Sequence, residues 1–150
     1  MNPLPYNELS YVQILGLCVW REARGEQRDG KRSVAHVILN RSKIGGWWGN
    51  SIQAVILKPW QFSSFNLQDP NNTKWPEDTD ASGNESLAVA QMVIDGDFDL
   101  TSGATYYHDT SMAWPKAWGN QSDYENTLNV GRLKFYKRKS AADLSAEGDV

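Results

Sequence analysis

Residues 11–26 read YVQILGLCVWREARGE, and their apolar content decides how the rest of the chain must be arranged. Val12, Ile14, Leu15, Leu17, Cys18, Val19 and Trp20 fall on every side of a helical wheel. The spacing therefore predicts a helix over residues 8–22 that is buried all round and belongs in the middle of a fold. Gly16 costs such a helix about 1 kcal/mol relative to Ala, a cost explained if another element packs close against it. Gly25 is expected to end the helix. Positions 11, 15, 18 and 22 share one narrow stripe, so a carboxylate, Glu22, closes a run made by Tyr11, Leu15 and Cys18. Burial disfavours the charged form of an acid, and the negative end of the helix dipole acts in the same direction; a raised pKa is what a general acid working near neutral pH requires. The same spacing allows an ion pair of Glu22 with Arg21, Arg24 or Arg41. Glu26, past Gly25, reads as a charge that favours the N-terminus of the following helix.

Working outward, a second helix is predicted over residues 30–42, with Asp29 as N-cap, Val34, Val37, Ile38 and Arg41 along one face, and Gly45 and Gly46 as its end. A short helix over 51–57 has a Ser start signal and is closed by Pro59. A fourth is expected over 85–95, capped by Asn84 and stopped by Gly96. Residues 66–84, NLQDPNNTKWPEDTDASGN, have no periodicity, and loops of that length inside a domain are functional or disordered. GATYYH at 103–108 and RLKFYK at 132–137 are strand-like, the second following a turn signal at 129–131, and are expected to pair as a small antiparallel ribbon. The small, polar residues 139–150 read as a disordered tail, which leaves 1–138 as one domain.

The composition sets bounds on function. A chain of 150 residues with 40% hydrophobic residues has room for one good core. Its single cysteine, Cys18, excludes an internal disulfide. No apolar run approaches the ~20 residues of a membrane helix. Residues 1–60 carry eight Lys/Arg against four Asp/Glu, while 61–131 carry two against eleven, so a basic first third could meet an anionic polymer but the acidic middle argues against a broad nucleic-acid surface. No Lys or Arg precedes Arg21, so no secretory leader is expected.

The run CVWREARGEQRDGKRSVAHVILNR (18–41) resembles the signature of the SleB-type cell-wall hydrolases, a family of spore-cortex-lytic enzymes that includes phage lysins. SIQAVILKPWQFSSF (51–65), SGATYYHD (102–109) and NVGRLKFYK (129–137) are similar to further family segments, in the same order. The resemblance implies an α+β, mainly α, lysozyme-like fold with a central buried helix. It implies cleavage of peptidoglycan glycan strands between N-acetylmuramic acid and N-acetylglucosamine, with Glu22 as the catalytic residue and no cofactor. The loop at 66–84 looks longer than is usual in the family.

Glycosidases generally use two carboxylates, and here no second one stands out: Glu26, Asp29, Asp69 and Asp109 each have a loop or cap explanation. A single acid suffices where the substrate supplies the nucleophile, so a lytic transglycosylase giving 1,6-anhydro products is favoured over a hydrolytic muramidase. Gln61, Ser63, Tyr106 and Tyr107 are the expected supporting residues beside Glu26, with Trp47, Trp48, Trp114 and Trp118 as further aromatic surface for sugar rings. Two rivals come from other classes. A zinc amidase would draw on Cys18, His36 and His108, though Cys18 on an apolar stripe needs no metal; a non-catalytic wall-binding module would use the aromatic content alone. The expected setting is a monomeric phage endolysin, made in the host cytoplasm and acting in the periplasm of a Gram-negative host, with no membrane or nucleic-acid partner.

Overall fold

The computed structural model describes residues 1–139, so the expectation for 140–150 lies outside the described residues. Four helices, α1 (Tyr11–Ala23), α2 (Arg28–Ile44), α3 (Ile52–Leu57) and α4 (Ala81–Ile94), are followed by three strands, β1 (Tyr106–Asp109), β2 (Tyr124–Val130) and β3 (Leu133–Arg138). α1 runs through the centre and packs against α2, α3 and α4. Its residues Ile14, Leu15, Leu17, Cys18 and Val19 have no exposed surface, but the burial is not all round from the start: Tyr11, expected to open the stripe that ends at Glu22, is 52% exposed, because the first turn of the helix lies at the surface. Gly16 is where α4 comes closest: a Cβ there would stand 2.8 Å from Leu87 Cδ2 and 3.2 Å from Leu87 Cα.

Three helix starts differ from expectation, because local capping contacts select other residues. α1 begins at Tyr11 rather than at residue 8, because Ser10 and Gln13 form a reciprocal capping box and residues Tyr6–Glu8 make a separate 3-10 turn. α2 begins at Arg28, with Gln27 as an N-cap lacking a side-chain bond; Asp29 sits in the first turn, where it favours the dipole and pairs with Arg32 at 2.9 Å. α3 has the expected Ser51 cap, its Oγ accepting from Ala54 N at 3.0 Å. α4 starts at Ala81, capped by Asp80 rather than Asn84. The Asn84 amide instead donates to Asp78 O at 3.0 Å, tying the helix to the preceding loop.

The ribbon is one strand wider than expected. β1 pairs antiparallel with β3, Tyr106 opposite Tyr136 and Tyr107 opposite Phe135, and β2 pairs antiparallel with the other edge of β3. β2 and β3 form a hairpin turning at Gly131 (φ 55°), within the turn signal at 129–131. The long segment 66–84 contains a 3-10 turn, Pro70–Thr73, capped by Asp69, and is pinned to α1 from outside: Arg21 donates to Asn72 O at 3.0 Å and twice to Lys74 O at 2.8 and 3.0 Å.

Candidate active site

Glu22 stands on the last turn of α1, and β1 crosses in front of it. Tyr107 Oη donates to Glu22 Oε1 at 2.8 Å, joining two groups 85 residues apart. Burial pushes the Glu22 carboxyl above its ordinary pKa; the Tyr107 hydrogen bond and the Arg41 charge oppose the shift, and Asp69 adds to it. Desolvation outweighs the hydrogen bond and the cation, so the acid is held toward its protonated form while retaining some surface on the cleft. Burial, and then the Glu22 charge, push the Tyr107 phenol well above its ordinary value, which keeps it a hydrogen-bond donor.

A cleft of about 650 Å3 opens over this pair. One wall comes from the turns around α3, with Trp47, Trp48, Trp60, Gln61, Phe62 and Ser63. The sheet side contributes Tyr106, Tyr107, His108 and Asp109, and the 110–123 connection adds Met112 and Trp118. Arg41, on α2, reaches the same cleft; its Nε donates to Thr105 O at 2.9 Å and its guanidinium lies 4.3 Å over the Trp48 ring. The cleft thus offers apolar ring faces with a few convergent polar groups, the usual make-up of a ligand site.

Of the residues singled out in the sequence, Glu22, Gln61, Ser63, Tyr106 and Tyr107 converge on this cleft, as do Trp47, Trp48 and Trp118. Trp114 packs edge to face on Trp118, outside the lining. Glu26 is also outside it: Glu26 Oε1 accepts from Arg132 N at 2.9 Å, clamping the β2–β3 turn beside Gly131, where a Cβ would meet both carboxylate oxygens within 2.9 Å. Arg21 and Arg24, weighed as ion-pair partners of Glu22, are engaged elsewhere, Arg21 with loop carbonyls and Arg24 over Trp20 at 4.5 Å. Cys18 is fully buried, His36 Nε2 lies 3.1 Å from Asp97 Oδ2, and His108 stacks on Tyr136. Among the described residues no group of three or more His, Cys, Asp or Glu side chains stands together as a metal site. Trp60, His108 and Met112 line the cleft without having been singled out for it. Trp60 sits inside the quoted PWQF run, but only the folded backbone shows which way it faces.

A cell wall hydrolase family model matches residues 25–136, beginning three residues after Glu22. The catalytic domain of the Bacillus cereus SleB protein is 26% identical, covers 91% of this chain and 94% of its own, and superposes with a TM-score of 0.66. The catalytic domain of the germination-specific lytic transglycosylase SleB from Bacillus anthracis is also 26% identical, covers 89% of this chain and 100% of its own, and gives 0.67. No curated protein sequence matches the chain. The fold is that of the SleB catalytic domains, a lysozyme-like, mainly helical domain with a small antiparallel sheet.

Proposed function

The chain belongs to the cell wall hydrolase family, a peptidoglycan-degrading enzyme of SleB type, and from that premise we propose that it cuts the glycan strand between N-acetylmuramic acid and N-acetylglucosamine as a lytic transglycosylase with Glu22 as its acid and base. The observation that carries the proposal is the 2.8 Å bond from Tyr107 to Glu22 Oε1 at the base of the cleft. With Oε1 taken by a donor, Oε2 is left to carry the proton. Glu22 donates that proton to the glycosidic oxygen as the bond from C1 breaks, and the leaving sugar departs with a free 4-hydroxyl. The carboxylate so formed accepts the proton of the muramoyl 6-hydroxyl while O6 bonds to C1, closing a 1,6-anhydro ring and restoring the acid. No water is consumed.

Mass spectrometry of digested sacculi should show muramoyl ends lighter by one water than reducing ends, and Glu22→Gln should abolish release. Exclusively reducing ends would sink the transglycosylase reading. One feature favours hydrolysis as the second reading. Asp109 lines the same cleft, and the backbone N–H of Ser111, at 2.8 Å, is the first cause holding its carboxyl below the usual range. A second carboxylate on the cleft wall is what a two-carboxylate glycosidase requires. Reducing ends together with loss of activity in Asp109→Asn would establish a muramidase.

The resemblance to SleB-type phage lysins motivates the proposed setting, an endolysin acting on the periplasmic wall of a Gram-negative host. Co-expression with a holin should lyse a culture and expression alone should not; lysis without the holin would contradict that setting.

A further inference from the structure

Seven tryptophans stand in the chain, and six meet an aromatic ring or a cation within it. Trp60 is the exception among the described residues. The residue is 77% exposed, its ring has no aromatic or cationic partner, and it lines the cleft that holds Glu22. Its backbone is in the left-handed region, φ 68°, which a bulky side chain rarely adopts. The surroundings fix that conformation from several sides: Pro59 precedes it, Gln61 N donates to Lys58 O at 3.2 Å, Trp60 N donates to Asn66 Oδ1 at 3.3 Å, and Phe62, two residues on, is 2% exposed in the core. Selection for stability alone would put glycine at such a turn and would not leave an indole in water. A solvated aromatic side chain on a strained backbone held in place at a cleft is a feature kept for what it binds.

We propose that Trp60 is a stacking platform for a pyranose ring of the glycan strand, placing one sugar against the cleft wall so that the next glycosidic bond reaches Glu22. The apolar C–H face of a sugar matches the indole face, while Gln61 and Ser63, from the same turn, offer hydrogen-bonding groups to its hydroxyl and acetamido substituents. Met112, 60% exposed, is the other exposed large apolar side chain lining the cleft among the described residues. It comes from the 110–123 connection, so the strand would be gripped from two segments. This inference rests on the glycan-cleaving reading above.

Kinetics on soluble, peptide-free glycan strands separate the roles. Trp60→Ala should raise KM roughly three- to tenfold, the loss expected for one aromatic stacking contact, with little change in kcat. Trp60→Phe should restore most of it. Trp60→Gly should raise KM as Ala does while its Tm holds or rises, since glycine relieves the left-handed backbone. An unchanged KM in Trp60→Ala, a loss confined to kcat, or a Phe variant as weak as Ala would overturn the platform. Co-sedimentation with sacculi in a Glu22→Gln background keeps the two readings apart. Binding weakened by adding Trp60→Ala supports the platform whatever the chemistry, binding unaffected by it overturns the platform, and a Glu22→Gln enzyme that still cleaves overturns the function reading alone.

Discussion

Glu22 pits burial against a hydrogen bond and a cation, and burial prevails. Its folded-state pKa is raised above the unfolded value, so the folded state binds its proton more tightly. The associated stability is fully present below the ordinary glutamate range, about pH 4.3, and is lost as pH rises through the raised value. Glu22→Gln removes the ionisation and keeps an oxygen for Tyr107. The variant should therefore melt higher than the parent at neutral pH, match it near pH 4, and be inactive at both; melting curves by circular dichroism at the two pH values check this. A gain at pH 4 equal to that at pH 7 would show that charge burial is not the cause. Sequence spacing made the stripe ending at Glu22 legible because it depends on helical period alone. It could not name Tyr107 as the partner, since that contact is made across 85 residues, nor expose Trp60, whose left-handed backbone no residue preference of Trp foretells.

At the scale of elements, the decisive contact is α1 against α4. A methyl on Gly16 would press on Leu87 Cδ2, which can turn away, and on Leu87 Cα at 3.2 Å, which cannot. Gly16→Ala gains about 1 kcal/mol of helix propensity and loses roughly 1–3 to overpacking. We expect a net loss of about 1 kcal/mol, seen as a fall of ~2–4 °C in Tm, and a larger one for Gly16→Val. A rise in Tm for Gly16→Ala would mean the helices can separate freely. The helices themselves were readable from periodicity, and the ends of α2 and α4 from Gly45 and Gly96. The start of α3 at Ser51 was readable too, but those of α2 and α4 were not, because Ser, Asp and Asn are all plausible caps and tertiary contacts choose among them: Asp80 caps α4 while Asn84 is drawn to Asp78 O. β2 escaped notice for a different reason. Most of YENTLNV is exposed or half-buried at a sheet edge, so it carries no apolar alternation to read.

Across the whole molecule, Arg21 holds together segments that periodicity cannot connect. Its guanidinium donates to Tyr6 Oη at 2.9 Å, to Ser64 O at 3.2 Å and to the carbonyls of Asn72 and Lys74, and lies 4.8 Å over the Phe65 ring and 5.6 Å over Trp75. The N-terminal arm, the turn after α3 and the loop 66–80 are thus fastened to one residue of the central helix. Asp69 in that loop also contributes to raising the Glu22 pKa, so the clamp bears on the acid next to it in sequence. A lysine at position 21 would keep the charge but not the planar fork, leaving most of those carbonyls without a protein donor and the ring faces without a flat partner. Arg21→Lys should cost about 2 kcal/mol, a fall of ~4–8 °C in Tm. It should also make the loop 66–80 the first site of limited proteolysis under conditions where the parent resists, with activity declining as that cleavage proceeds. If Arg21→Lys is cut no faster than the parent and melts at the same temperature, the loop is held by its own 3-10 turn and the Asp80 cap, and Arg21 merely fills space beside them.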